Sequence, residues 1–198
     1  MNRTPIVPDG PLLVSIILPT LNRSHCLGKA VGSVLAQSYP NWELILSNNG
    51  RDPVSVFNPR ARVIDSSAVT SAAYARNLAI GSATGDLVCF LDDDDELDPD
   101  YLATFVELFA ERPELRLAKC LMTRRGVVNE TYGTPTVVLR RGLATATWEP
   151  ITRQDRAYFA AIIARENLSE EAGTLALIPR VLVTSGVDPV GGLRSGNL

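Results

Sequence analysis

The sequence predicts an α/β fold in which a mostly parallel central sheet is flanked by helices. Apolar segments of strand length alternate with amphipathic segments of helix length through the first half of the chain. The apolar run at residues 87–91 is too short for a buried helix and is typical of a strand covered on both faces. Turn-forming or acidic residues follow these strands. Together the three observations indicate parallel strands joined by right-handed crossovers, with a ligand site at their carboxyl ends.

The strands are predicted from apolar and β-branched composition. They cover seven segments: residues 12–18, 42–47, 63–64, 87–91, 117–122, 136–139 and 175–183. Pro19 is expected to stop the first strand, and the second is expected to run into a turn at residues 48–50. A polar loop is expected between residues 122 and 136.

Four helices are predicted from the spacing of apolar residues. Ser24 is expected to cap the first. Asp98 is expected to cap the third, with Pro99 at the first helical position. The other two are predicted over residues 71–80 and 155–165.

Composition narrows the functional class. A formal net charge of −3 does not suggest a general nucleic-acid-binding surface. The single histidine, His25, and three scattered cysteines have no zinc-ligand spacing, and such cysteines are typical of a reducing compartment. The sequence shows neither a signal peptide nor an apolar run of about 20 residues. We therefore expect a cytoplasmic protein without a transmembrane segment, and peripheral contact with a membrane is left open.

Four consecutive carboxylates, Asp92 to Asp95, follow the central strand. They would repel one another at neutral pH unless a positive group lay among them, and a divalent cation is the natural candidate. Two other interpretations are a solvated loop ahead of the helix cap at Asp98 and a calcium loop of the EF-hand type. The EF-hand interpretation lacks its turn glycine and its terminal glutamate here.

Five segments carry a recognisable pattern. They are residues 14–23 (VSIILPTLNR), 33–38 (SVLAQS), 43–50 (ELILSNNG), 75–77 (ARN) and 83–95 (ATGDLVCFLDDDD). In this order and spacing they resemble the glycosyltransferases of family 2, which have the GT-A fold. A looser match continues through residues 137–141, 154–155 and 178–179.

The resemblance implies a metal-dependent glycosyltransferase that moves a sugar, with inversion, from a nucleotide diphosphate donor to an unidentified acceptor. A UDP-sugar is the favoured donor, and other bases remain open. The family pattern places Mn²⁺ or Mg²⁺ at the DXD motif, with Asp94 as the metal ligand and Asp92 and Asp93 near the ribose and diphosphate. Such a hard cation commonly takes one or two carboxylates plus substrate phosphates.

The resemblance also implies a pocket for the base and ribose. It would be formed by Pro19, Thr20, Asn22 and Arg23 after the first strand and by Asn48 after the second. The family usually has an aspartate where Asn48 aligns. Because asparagine offers both a donor and an acceptor, uracil and other bases both remain open. A plain turn-forming role for Asn48 and Asn49 is the alternative.

The family pattern assigns a phosphate contact and a general base. Arg76 would bind the nucleotide or diphosphate, and a surface salt bridge is its alternative role. Asp155 would take the acceptor's proton, although Gln154 stands where the family has a first acid. Glu149 is the alternative base, and Asp155 also suits the first turn of a helix for electrostatic reasons alone.

We expect a single glycosyltransferase domain over residues 1–198. Residues 12–112 would form the nucleotide-sugar-binding half, residues 113–185 the acceptor-side half, and residues 186–198 a tail that is partly disordered. A catalytically inactive GT-A-like nucleotide-sugar-binding or scaffold domain is the alternative function. A sugar nucleotidyltransferase is disfavoured, because residues 19–23 contain no glycine to cradle a triphosphate.

Overall fold

A mixed sheet of nine strands forms the centre of the computed structural model, which describes residues 10–68, 71–129, 133–151 and 153–186. The strands in chain order are β1 Val14–Thr20, β2 Trp42–Asn48, β3 Ala61–Asp65, β4 Leu87–Phe90, β5 Asp95–Leu97, β6 Leu117–Arg124, β7 Val127–Asn129, β8 Val137–Arg140 and β9 Leu175–Ser185. The helices are α1 Ser24–Leu35, α2 Ala72–Gly81, α3 Tyr101–Glu111 and α4 Gln154–Glu166. Short 3₁₀ turns occupy Thr134–Thr136 and Arg141–Leu143.

The strand order is β3-β2-β1-β4-β8-β6-β9-β5, with β7 paired to β6. The first four strands of this order run parallel. β8 is antiparallel to both of its neighbours, whereas β6 and β9 are parallel to each other. The predicted α/β fold with a mostly parallel sheet is confirmed, and the carboxyl ends of β1 to β4 share one edge.

Both faces of the sheet are buried. On β1, Ile16 belongs to the cluster covered by α1 and α3, whereas Ile17 belongs to the cluster covered by α2 and α4. Successive strand residues point to opposite faces, so a continuously apolar strand requires helices on both sides. The second cluster contains the aromatic residues Phe90, Trp148 and Tyr158, of which Phe90 is the last residue of β4.

A buried carboxylate stabilises the opposite edge of the sheet. Glu43 on β2 accepts hydrogen bonds from the Ser15 hydroxyl (2.6 Å), the Thr84 backbone N–H (2.7 Å) and the Thr84 hydroxyl (2.8 Å). Its second oxygen pairs with Arg62 at 2.8 Å. Burial raises the pKa of Glu43, but these hydrogen bonds and Arg62 outweigh it and lower the net pKa. The carboxylate therefore joins β1, β2 and the turn that precedes β4.

Pro19 does not stop the first strand, contrary to prediction, because β1 continues through Thr20. The Ile17 carbonyl accepts from Leu91 N–H, so Ile17 and every second residue after it face the β4 side. The β1–β4 register ends at the pair Ile17 and Phe90. Pro19 therefore faces the β4 side beyond the last paired residue, where no ladder hydrogen bond needs a backbone N–H.

Both predicted helix caps are wrong. Ser24 is the first helical residue of α1, and the N-cap position, Arg23, makes no capping side-chain hydrogen bond. Helix α3 begins at Tyr101 rather than after Asp98. The Asp98 carboxylate instead accepts the Asp100 N–H at 3.0 Å within the preceding turn.

Two strands were missing from the prediction. The short β5 is held by antiparallel pairing to β9, which is distant in sequence. The second, β7, pairs with β6 through a tight hairpin in which Arg125 (φ 51°) and Gly126 (φ 76°) both have positive φ. It lies in the segment predicted as a polar loop. Except for Gly186, the predicted tail lies outside the described residues.

None of the helices in the described ranges is both long enough and apolar enough to cross a membrane.

Candidate functional site

The four consecutive carboxylates form a turn between β4 and β5. The Asp95 N–H donates to the Asp92 carbonyl at 3.1 Å, which is the closing bond of a four-residue turn. We call Asp92 to Asp95 the acidic turn. Because β4 lies beside β1 in the parallel part of the sheet, the acidic turn lies at the edge where β1 and β2 also end.

Arg23 bridges two carboxylates of the acidic turn. Its Nη1 lies 3.0 Å from Asp93 Oδ1, and its Nη2 lies 3.0 Å from Asp94 Oδ2. The Thr20 hydroxyl donates to Asp93 Oδ2 at 2.9 Å. The structure therefore brings together four of the predicted site residues. Asp93 is 5% exposed, whereas the Asp94 side chain is 29% exposed and is the more accessible of the two.

Burial governs the protonation of the acidic turn. It raises the pKa of Asp93 to about 6, although Arg23 and the Thr20 hydrogen bond act in the opposite direction. Burial also raises the pKa of Asp95, with a further contribution from Asp92. A cation bound nearby would favour the ionised form of both groups.

Gly186 covers the far end of the acidic turn. Its N–H donates to Asp95 Oδ1 at 3.2 Å. A Cβ at this position would overlap the Asp94 carbonyl oxygen, so only glycine fits here. The end of β9 thus fixes the backbone of the predicted metal ligand, a relationship that the sequence analysis missed.

Arg76 reaches the acidic turn from α2. It is 3% exposed, and its Nη2 pairs with Asp92 Oδ1. The guanidinium also lies 4.7 Å from the centroid of the Trp148 ring. Its Nε and Nη1 have no hydrogen-bond partner within the described residues. A surface salt bridge does not describe this buried arginine, which keeps two unpaired N–H-bearing nitrogens beside the acidic turn.

Two asparagines connect the loop after β1 to the turn after β2. Asn22, in the left-handed conformation (φ 50°), accepts the Arg51 N–H through Oδ1 at 2.8 Å. Asn48 donates to the Asp52 carbonyl (2.9 Å) and accepts from the Gly50 N–H (3.0 Å). The amide of Asn48 is therefore used by its own turn, which supports the turn-forming role.

Asn49 is the functional candidate that the sequence analysis treated only as a turn former. It is 6% exposed, and its backbone N–H donates to the Thr20 carbonyl at 3.0 Å. Neither polar atom of its side chain has a partner in the part of the chain that the structure describes. Each unpartnered polar group in a native interior needs an explanation, so this amide at the carboxyl edge of the sheet makes Asn49 a candidate site residue. Strand alternation was the available signal, since consecutive residues face opposite sides.

The two predicted base candidates are Asp155 and Glu149. Asp155 is half-buried in the first turn of α4, and Glu149 is exposed. No hydrogen bond or ion pair joins either carboxylate to the acidic turn within the described ranges. Helix α4 is instead connected to β4 by packing, because Tyr158 lies 5.9 Å from Phe90 between ring centroids.

The acidic turn suits a cation that arrives with a ligand rather than a resident metal. No group of three or more His, Cys, Asp or Glu side chains in the described residues could hold an ion. The accessible donor, Asp94, is a carboxylate, as a hard cation requires. Asp94 therefore fits as one carboxylate ligand of Mg²⁺ or Mn²⁺, and the other oxygen ligands would have to come from phosphate or water.

Solved structures share this fold. TarS from S. aureus in complex with UDP superposes with a TM-score of 0.71 at 15% identity, covering 90% of this chain and 61% of that one. The mannosyltransferase PcManGT from Pyrobaculum calidifontis, in complex with GDP-Man and Mn²⁺, gives 0.70 at 16% identity, covering 92% and 59%. These neighbours confirm the GT-A fold.

Curated relatives match about half of the chain or less. The glucosyltransferase WfgD of Escherichia coli, which acts on α-D-GlcNAc-diphosphoundecaprenol, is 40% identical over 89 residues, 42% of this chain and 35% of that protein. The putative teichuronic acid biosynthesis glycosyltransferase TuaG of Bacillus subtilis is 38% identical over 108 residues, 50% of this chain and 43% of that protein. The chain thus spans less than half the length of these relatives.

A sequence profile of the family described as "Glycosyl transferase family 2" matches residues 15–170. This range begins at the second residue of β1 and contains β2 to β8, all four helices and the acidic turn. The chain therefore belongs to glycosyltransferase family 2.

Proposed function

We propose that this chain catalyses a metal-dependent, inverting transfer of a sugar from a nucleotide diphosphate donor to an acceptor hydroxyl. The observation that carries the proposal is the acidic turn itself, which contacts Arg23 and Arg76 at the carboxyl edge of four parallel strands. In open α/β sheets this edge is where ligands bind. The residues assembled there carry the charges needed for a diphosphate and its cation.

The diphosphate would lie among Asp94 and the two arginines. Asp94 would hold Mg²⁺ or Mn²⁺ together with phosphate oxygens, and the bound cation would stabilise the charge on the leaving diphosphate. Arg76 would donate to phosphate oxygens through its unused Nε and Nη1. Asp92 and Asp93 would face the ribose and diphosphate, with Arg23 and Thr20 keeping Asp93 in place.

The base and ribose pocket would lie between the ends of β1 and β2. Pro19, Thr20, Asn22 and Asn48 shape its walls, and Asn49 supplies the free amide. This amide can accept from uracil N3–H and donate to a uracil carbonyl, so a UDP-sugar is the favoured donor. The solved neighbours were crystallised with UDP and with GDP-Man, which keeps the guanine base open.

The transfer step needs one proton acceptor. The acceptor oxygen would attack the anomeric carbon as the bond to the diphosphate breaks, and the nucleoside diphosphate would leave on the opposite face, which gives inversion. Asp155 would take the proton of the attacking hydroxyl. Glu149 is the alternative base, and both residues belong to the proposed acceptor-side half at residues 113–185.

The names of two relatives support a proposal for the acceptor class. WfgD and a Campylobacter jejuni relative that is 28% identical over 128 residues are both glucosyltransferases of saccharides linked to undecaprenol through a diphosphate. We extend this class, a lipid-linked saccharide diphosphate, to the present chain. Such an acceptor is anchored in a membrane, so the cytoplasmic enzyme expected from the sequence would work at the membrane surface.

Isothermal titration of UDP and GDP in the presence of Mg²⁺ tests the donor half of the proposal. Wild-type protein should bind at least one nucleotide, and Asp94→Asn should lower its affinity at least about tenfold because the metal ligand is weakened. Asp100→Asn, outside the acidic turn, is the matched control and should bind as wild type. The proposal fails if wild type binds neither nucleotide, or if Asp94→Asn binds normally.

Turnover of a nucleotide-sugar panel tests the chemical half. Asp155→Asn should leave nucleotide binding unchanged and reduce transfer or donor hydrolysis at least about 100-fold, in line with the contribution of general bases. Retained turnover would transfer the role to Glu149, to be checked with Glu149→Gln. Nucleotide binding by wild type without any turnover would instead support the inactive nucleotide-sugar-binding domain.

A further inference from the structure

The side chain of Asn77 forms hydrogen bonds with the backbone of Trp148, which lies 71 residues later in the sequence. Its Nδ2 donates to the Trp148 carbonyl at 3.0 Å, and its Oδ1 accepts the Trp148 N–H at 2.9 Å. The side-chain amide thus satisfies both peptide groups of a single residue. Because a carboxylate lacks the donor and alanine lacks both groups, the pairing specifies asparagine at this position.

The Trp148 ring, which is fully buried, contacts three functional elements. It stacks on Tyr158 of α4 with centroids 4.1 Å apart and an interplanar angle of 13°. It meets the edge of Phe90, the last residue of β4, at 5.1 Å. The Arg76 guanidinium lies 4.7 Å from the ring centroid. One indole therefore packs against the elements that carry the acidic turn, its buried arginine and Asp155.

We infer that Asn77 and Trp148 are positioning residues that set helix α4 relative to the acidic turn. The inference rests on the proposed function, because it assigns their effect to the geometry between the donor and the base on α4. Asn77 is next to Arg76 in sequence, and Tyr158 lies one helical turn after Asp155. In a close-packed interior, a shift of the indole displaces α4, which stacks on it through Tyr158.

Positioning residues are needed because of the contacts that Asp155 lacks. Asp155 makes no hydrogen bond or ion pair with the acidic turn in the described residues, so packing must set its distance from the donor. Misplacement of reacting groups by about 1 Å can cost about 100-fold in rate. The Asn77–Trp148 pair fixes the segment that precedes α4, which also carries Glu149.

Hydrogen exchange of α4 provides a test that does not depend on activity. In Asn77→Ser, amides of residues 154–166 should exchange about tenfold faster, because two hydrogen bonds that anchor the preceding segment are lost. Amides of α1 should not change. Leu78→Ala, an exposed position on the same helix, is the matched control. Unchanged exchange in α4 would overturn the inference whatever the activity.

Kinetics separate positioning from general structural support. Asn77→Ser should lower turnover at saturating donor about tenfold, while the dissociation constant for UDP or GDP with Mg²⁺ changes less than about threefold, since Arg76 keeps its partner Asp92. Trp148→Leu should lower turnover and also weaken nucleotide binding, because it removes the surface under Arg76. Faster exchange with unchanged turnover would refute positioning. Failure of the proposed function is a different result, namely an inactive wild type.

Discussion

Arg23 Nη2 lies 3.0 Å from Asp94 Oδ2, so the proposed metal ligand already has a cationic partner inside the protein. The same guanidinium pairs with Asp93 at 3.0 Å. A cation and the arginine therefore compete for one carboxylate, whereas a diphosphate would attract both of them. This arrangement favours joint binding of cation and nucleotide over binding of the cation alone.

Replacing Arg23 by methionine should reverse that preference. Affinity for Mn²⁺ alone should rise about tenfold, because a positive charge a few ångströms from the site is removed at an effective dielectric constant of about 20 to 80. Affinity for UDP with Mn²⁺ should fall. Electron paramagnetic resonance of free Mn²⁺ measures both. Lys29→Met, which removes an exposed charge 3.8 Å from Glu96, is the control and should change neither value.

Alanine substitutions at Asn49 and at Asn48 should separate the effect on base recognition from the effect on the stability of the turn. Asn49→Ala should reduce the preference between UDP and GDP with little effect on folding, since its side chain has no internal partner in the described residues. Asn48→Ala should lower the free energy of unfolding by about 1 to 2 kcal/mol and keep the preference, because it loses two turn hydrogen bonds. Titration calorimetry and urea unfolding measure the pair. The opposite pattern would restore Asn48 as the residue that contacts the base.

Gly50→Ala should damage the nucleotide pocket. A Cβ at residue 50 would lie 2.5 Å from the Asn22 backbone nitrogen and 2.6 Å from its Oδ1. The overlap should displace the loop after β1, cost about 1 to 3 kcal/mol of stability and weaken nucleotide binding. Gly28→Ala in α1 has open space at Cβ and serves as the control, with equal or slightly higher stability expected. Normal nucleotide affinity in Gly50→Ala would exclude this loop from the pocket.

Glu43 should contribute to resistance against acid. Its pKa in the folded protein is below the ordinary 4.5, so its stabilisation is fully present above pH 4.5 and is lost as the pH falls through the lower folded-state value. Glu43→Gln should remove this part of the pH dependence and lower stability at pH 7 by about 1 to 3 kcal/mol. Urea unfolding between pH 3 and 7 tests this. Parallel curves for wild type and variant would contradict it.

The parallel half of the fold was predictable because three of its strands, β1, β2 and β4, are buried on both faces. Residues 87–91 are apolar without interruption, and so are most residues of the neighbouring strand β1. β5 was not predictable in the same way. Its residues are Asp95, Glu96 and Leu97, and its only source of strand structure is pairing with β9.

Some contacts of the candidate site were also predictable from the sequence, and others were not. The approach of Thr20 and Arg23 to the acidic turn follows from adjacent parallel strands ending at one edge. The partners of Asn77 and Gly186 could not be inferred, because each bond joins segments whose separation depends on how the second half folds. Asn48 and Asn49 are adjacent in sequence, so their side chains point to opposite sides at the end of β2. An error of one residue in register is enough to exchange their predicted roles.

The close approach of Gly186 to Asp94 also bears on protein engineering. A saturation library confined to residues 92–95 and their immediate neighbours in sequence would leave position 186 untouched, although any side chain there would collide with the Asp94 carbonyl oxygen. Tolerance to substitution at 186 should therefore be as low as at the proposed metal ligand. A deep mutational scan should therefore show two positions or groups that do not tolerate substitution, the acidic turn and, near the end of β9, the glycine at position 186.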